Sequence, residues 1–154
     1  MIKLRKHIDQ FLAIALIITM TILVIDVVWQ VLARYIVKSP SSFTDELARF
    51  LLIWVGLLGS AYAMGKKKHL AIDILPSKLS GKPKRFLNAF IGILIMLFAI
   101  LVLVVGGIRL VYITLTLNQI SPALGVPLGY VYLVLPFSGI LIAFYALLDI
   151  FEKE

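Results

Sequence analysis

Four nearly charge-free apolar runs, each about as long as a bilayer is thick, constrain this chain more than any other feature. They occupy residues 11–33, 47–65, 86–108 and 128–148, and the charged residues within them are Asp26 and Arg49. A helix needs ~20 apolar residues to cross ~30 Å of hydrocarbon. No water reaches the backbone there, so a spanning segment has to satisfy its own N–H and C=O groups. Helices do this within one run. The composition agrees, with 62% hydrophobic and 15% charged residues and a mean hydropathy of +1.06. A soluble domain this small leaves too much surface in water to hide that many apolar side chains. The expectation is an all-α membrane protein, a single domain of four transmembrane helices over residues 1–154.

The first run follows a basic stretch, Met1–Gln10, as in a signal peptide. It exceeds the ~7–15 residues of a signal core and ends without a small-x-small site, so it is read as retained. Lys and Arg set the orientation. Lys3, Arg5 and Lys6 precede the first run. Lys66, Lys67, Lys68, Lys78, Lys82, Lys84 and Arg85 lie between the second and third. The other two connections carry only Arg34, Lys38 and Arg109, with Asp45 and Glu46 offsetting the first pair. The positive-inside rule then places both termini and the middle connection in the cytoplasm. Lys66, Lys67, Lys68, Lys84 and Arg85 would meet lipid headgroups. The net charge of +7 is explained by that flanking pattern, and no nucleic-acid partner is implied. The segment His69–Ser80 reads equally as an interfacial amphipathic stretch or a solvated loop.

Asp26 lies ~22 Å along the first span, on one helical face with Thr19 and Gln30 and near Arg34. An intramembrane carboxylate is a candidate proton or Na⁺ ligand. The competing reading is structural, with pairing to Arg49 or Arg109. The absence of a second acid in any span favours it. Ser42 with Asp45 three residues on resembles a capping box, and Arg49 stands one turn from Asp45 and Glu46. Trp54, ~12 Å past Glu46, is too deep for an interfacial belt and should pack on protein. Trp29, Tyr35, Tyr112, Tyr130 and Tyr132 fit an outer aromatic belt, and Tyr62 an inner one. Gly56 with Ser60, and Gly59 with Ala63, have the small-xxx-small spacing of close helix contacts. Pro136 should kink the last span.

There is no cysteine, and His7 and His69 both sit in polar flanks. The chain therefore has no thiolate site, no intramembrane haem ligand and no converging zinc set. Phosphate-binding glycine loops and nucleophile triads are also missing. An enzyme is not supported.

Two stretches resemble the small membrane subunit of the tripartite ATP-independent periplasmic (TRAP) transporters. Ser39–Leu75 has the acidic pair Asp45-Glu46, then Arg49, Trp54, Gly56, Gly59 and, after a basic patch, His69. Ser121–Gly139 opens on Ser121-Pro122-Ala123-Leu124-Gly125-Val126-Pro127. Asp45 departs from the family's Glu, keeping the charge with a shorter reach. The resemblance implies an accessory subunit. In such a system a periplasmic binding protein captures an organic acid such as sialic acid or a dicarboxylate. A large membrane subunit then moves it with Na⁺, and the small subunit braces the large one. No cofactor is implied on this chain, and Na⁺ is expected on the large partner. Asp26, Arg49, Trp54, Gly56, Gly59, Arg109, Ser121 and Pro122 are the expected structural or partner contacts. Arg34, Lys38, Asp45 and Glu46 would help dock the binding protein. The alternative is a self-sufficient oligomeric exporter or channel built around Asp26.

Overall fold

The computed structural model describes residues 2–38, 41–66 and 82–151. Lys67, Lys68, His69 and the segment to Ser80 lie outside the described residues. Helix α1 (Ile2–Leu32) continues into a π-helical turn, Ala33–Val37. Lys38 closes it in the left-handed region (φ 56°), its N–H donating to the Ala33 carbonyl. Helix α2 covers Ser42–Gly65. The third span is α3 (Lys82–Phe98), a π-helical stretch (Ala99–Gly106) and α4 (Gly107–Thr116). The fourth is α5 (Leu128–Tyr132) and α6 (Val134–Phe151). Four helical runs, Arg5–Ile36, Ser42–Gly65, Phe86–Thr116 and Leu128–Asp149, are long and apolar enough to cross a membrane. Lys84 and Arg85 fall in the first turn of α3.

Two of these boundaries have clear local causes. Ser41, with φ −95° and ψ 109°, caps α2, its Oγ accepting from the Thr44 N–H at 3.4 Å. The expected cap, Ser42, is instead the first helical residue. Of the two serines, Ser41 is the one that leaves helical geometry while its carbonyl still accepts from the Asp45 N–H at 3.3 Å. The last span breaks at Leu133, three residues before Pro136. Proline has no N–H for the Tyr132 carbonyl, and its ring crowds the preceding turn.

The spans pack in the order first, second, fourth, third: α1 lies on α2, α2 on α6, and α6 on α3 and its π-helical continuation. The fourth span is the hub. Some 39% of its most apolar window is buried by the rest of the chain, against 11% for the first and third spans. The best-packed cluster joins Leu12, Leu58, Ala61, Met64, Val134 and Tyr145. Along the third–fourth seam, a Cβ on Gly107 would meet Pro136 Cδ at 2.8 Å, and one on Gly139 would meet Leu103 Cβ at 2.7 Å. Small residues allow such close approach without an entropy-costly side chain between helices. The glycines singled out from the sequence do not do this within the chain. Gly56 has nothing within 4 Å of its Cβ position, and Gly59 only Leu16 at 3.9 Å.

Candidate functional site

Polar chemistry is concentrated at the two ends of the helix row. At the end where α2 and α6 terminate, Asp9 on α1 holds three elements together. Its Oδ1 accepts from the Tyr145 hydroxyl at 2.6 Å, and its Oδ2 from Lys66 Nζ at 3.0 Å. One turn earlier, Arg5 donates to the Gly65 carbonyl at 2.6 Å and lies 3.9 Å from Asp149. The last carbonyls of a helix lack intrahelical donors and carry partial negative charge, so a guanidinium there both caps and neutralises. Gly65 leaves room for this clamp: a Cβ would sit 2.7 Å from Tyr145 Cζ and 3.0 Å from Asp9 Oδ1. From the sequence, Lys66 is expected at lipid headgroups and Arg5 counts only toward orientation, while Asp9 and Tyr145 carry no expected role. The available signal was Arg5 and Asp9 at i, i+4 just before the apolar run, on the face shared with Leu12.

At the other end, the connection between the third and fourth spans is an ordered hairpin. Ile120 and Pro127 bridge in antiparallel fashion, and the Ser121 N–H donates to Val126 O at 2.9 Å. The Ser121 carbonyl accepts from the Gly125 N–H at 2.9 Å, and Gly125 adopts φ +67°, a conformation glycine takes without penalty. Glu46 on α2 locks the turn: its Oε2 accepts from the amides of Ala123 at 2.8 Å and Leu124 at 3.1 Å. Ser121 is buried and Pro122 exposed. The Ser-Pro-Ala-Leu-Gly run therefore presents backbone amides to a carboxylate 77 residues away.

Asp45, next to Glu46, faces the first span. Gln30 Nε2 donates to its Oδ1 at 2.8 Å, and Arg49 pairs with its Oδ2. Arg34, Gln30, Ser41, Ser42 and Asp45 line an open cleft of about 260 Å³ between the helix ends. Trp54 is half-buried, and its Nε1 donates to the Val131 carbonyl at 3.0 Å. That carbonyl lies just before the break at Leu133, where the regular ladder is interrupted.

Asp26 is 7% exposed, and its buried Oδ2 has no hydrogen-bond partner. The contacts Asp9–Lys66, Leu16–Gly59 and Gln30–Asp45 share one antiparallel register. That register puts Asp26 level with Arg49. Nevertheless Arg49 turns to Asp45, and Arg109 is exposed with no ion pair among the described residues. The expected pairing of Asp26 with Arg49 or Arg109 is thus not formed, because a nearer acid one turn away on the same helix reaches Arg49 from the wet side. Asp26 does not line the open cleft.

The family model for the DctQ component of the tripartite ATP-independent periplasmic transporters matches residues 20–154. A putative TRAP transporter small permease protein of Haemophilus influenzae is 30% identical over 141 residues, covering 92% of this chain and 86% of that protein. The sialic acid TRAP transporter small permease protein SiaQ of Vibrio cholerae is 32% identical over 102 residues, 65% of this chain and 59% of SiaQ. The isethionate TRAP transporter permease protein DctMQ of Oleidesulfovibrio alaskensis is 33% identical over 132 residues, 80% of this chain and 20% of that longer protein.

Proposed function

We propose that this chain, which belongs to the DctQ component family of the tripartite ATP-independent periplasmic transporters, braces a large permease subunit with its outlying spans and helps dock a periplasmic binding protein at its hairpin end. It is a small permease subunit of a TRAP transporter, a multi-pass protein of the inner membrane, and not an enzyme. Small subunits of this family work with a large permease subunit, and some are fused to it.

The observation that carries the bracing role is the row-like packing. Only 11% of the apolar windows of the first and third spans is fully buried within the chain, against 39% for the fourth. Such a slab gives a larger protein two broad apolar faces, with Gly56, Arg109 and Pro122 open for contact. Arg49, Trp54 and Ser121 make contacts within this chain's own fold. Both termini face the cytoplasm on this reading, which the lysine and arginine distribution supports, and the hairpin end faces the periplasm. The cargo is an organic acid, by analogy with the sialic acid and isethionate transporters that the relatives' names describe. Coupling to Na⁺ resides in the large subunit.

Co-expression with the large subunit tests the bracing. The two should leave the membrane as one detergent-stable complex, and uptake should require both. A small subunit that purifies alone beside an active large subunit removes the proposal.

A further inference from the structure

The contacts that hold the row together also fix how deep each side chain lies. Helix α2 runs from Glu46, which holds the hairpin amides, to Lys66, which bonds Asp9. At ~1.5 Å per residue that stretch is ~30 Å long, the thickness of the hydrocarbon core. Trp54, ~12 Å below Glu46, bonds the Val131 carbonyl. Val134 follows one helical turn deeper, in the packed cluster. The close approaches of Gly107 to Pro136, Gly139 to Leu103 and Gly129 to Leu115 set one antiparallel register between the third and fourth spans. That register puts Arg109 opposite Val134, ~15 Å from either polar end and so at the middle of the bilayer.

Arg109 is exposed and forms no ion pair among the described residues. Gly107, Val111 and Thr114 are the buried residues of α4 and mark the side turned to the fourth span. Helical periodicity places Arg109, Tyr112 and Thr116 on the opposite side, the outer edge of the row. At that depth a guanidinium cannot reach the headgroups by snorkelling, and lipid tails offer it no acceptor. The acid inside a span, Asp26, is buried in the first span, at the other end of the row. The first span's own outer edge is different. Ile17, Thr21, Val24 and Val28 are exposed there, and Thr21 donates its hydroxyl proton to the Ile17 carbonyl. Lipid can cover that edge without stranding a polar group.

We infer that the outer edge of the third span is the seam with the large permease subunit, which covers Arg109 with protein and gives it a hydrogen-bond acceptor at mid-depth, while the outer edge of the first span faces lipid. This rests on the bracing role above and selects between its two outlying spans.

The test uses both subunits co-expressed in one membrane. A photoreactive p-benzoylphenylalanine in place of Val105 or Tyr112 should cross-link to the large subunit, and in place of Ile17 or Val24 it should not. R109L should weaken association of the two labelled subunits in liposomes at least ~10-fold, because the partner's acceptor loses its donor. R109K keeps a charge and should lose less. If R109L does not accumulate, the cross-links, made with Arg109 intact, still decide. Equal yields from the two edges, or the reverse pattern, overturn the inference. So does a cross-link that joins two copies of this chain, or association of R109L as tight as wild type. The bracing role itself fails differently: no position on either edge would reach the large subunit, and the two subunits would purify apart.

Discussion

The two polar ends of the helix row use the same kinds of side chain for different ends. At the Gly65 end, Asp9, Tyr145, Lys66 and Arg5 form contacts between spans, and the Asp9 side chain is only 13% exposed. At the hairpin end, acids turn inward onto amides and neighbouring helices while Arg34 and Lys38 remain outward. The difference is one of burial. Where side chains close a dry seam, each donor must find an acceptor. Where the surface stays wet, a cation needs no partner from its own chain. One end therefore ties three spans together, and the other leaves its cations exposed.

The comparison breaks most visibly at Gly65. Gly65→Ala places a methyl within 2.7 Å of the Tyr145 ring. Overpacking of this kind costs about 3 kcal/mol at the upper end of its usual range. Thermal unfolding in detergent should show a large drop, accompanied by loss of the Asp9–Tyr145 contact. A midpoint equal to wild type would mean that the clamp contributes nothing to holding the spans.

The hairpin end should respond locally. Glu46→Ala leaves the Ala123 and Leu124 amides without their acceptor. Hydrogen exchange at those two positions should accelerate roughly tenfold while the clamp end keeps its protection. Glu46→Gln retains a carbonyl oxygen and should accelerate exchange less. If exchange spreads equally to both ends, the ends are one cooperative unit and the contrast is wrong.

Trp54 lies between the two. Trp54→Phe removes the bond to the Val131 carbonyl and keeps most of the packing. The expected loss is about 1 kcal/mol, the usual net worth of such a bond, measured by the same unfolding assay.

The smallest effect is expected at Asp26. A buried acid that has a salt-bridge partner costs about 3–5 kcal/mol to break. Asp26 has an unpartnered oxygen instead. Asp26→Asn should therefore change stability by less than about 1 kcal/mol, or raise it, since no pair is lost and a buried charge is removed. A loss of several kcal/mol would show that Arg49 or another cation reaches Asp26 in the membrane.

Much of the architecture was legible in the primary structure, because the bilayer imposes simple rules. Length and apolarity mark spans 86–108 and 128–148 whatever they pack against. Pro136 announced a break in the last span, since a missing N–H acts locally. The helix start at Ser41-Ser42 was legible only to within one residue, because both are good caps and the choice depends on backbone geometry. Residues whose roles depend on distant partners were harder. Asp9 reads as one more charge in a polar flank, and Gly65 as the end of a run. Trp54 was expected to pack on protein, but nothing in its neighbourhood identifies the Val131 carbonyl 77 residues away.

Composition and spacing by themselves determined that this chain crosses a membrane as helices and which connections carry the positive charge, while the first helix starts at Ile2 and the third span runs on to Thr116, well beyond the apolar runs that mark them. The first two properties follow from each segment's own exchange between water and hydrocarbon. Only the tertiary structure decided that Gly56 stays open while Gly107 and Gly139 meet the neighbouring span, that Glu46 binds a loop instead of facing outward, and that Asp26 lacks the arginine level with it. Each of these depends on which side chain arrives within about 3 Å of another, and that distance is set by how four helices pack together.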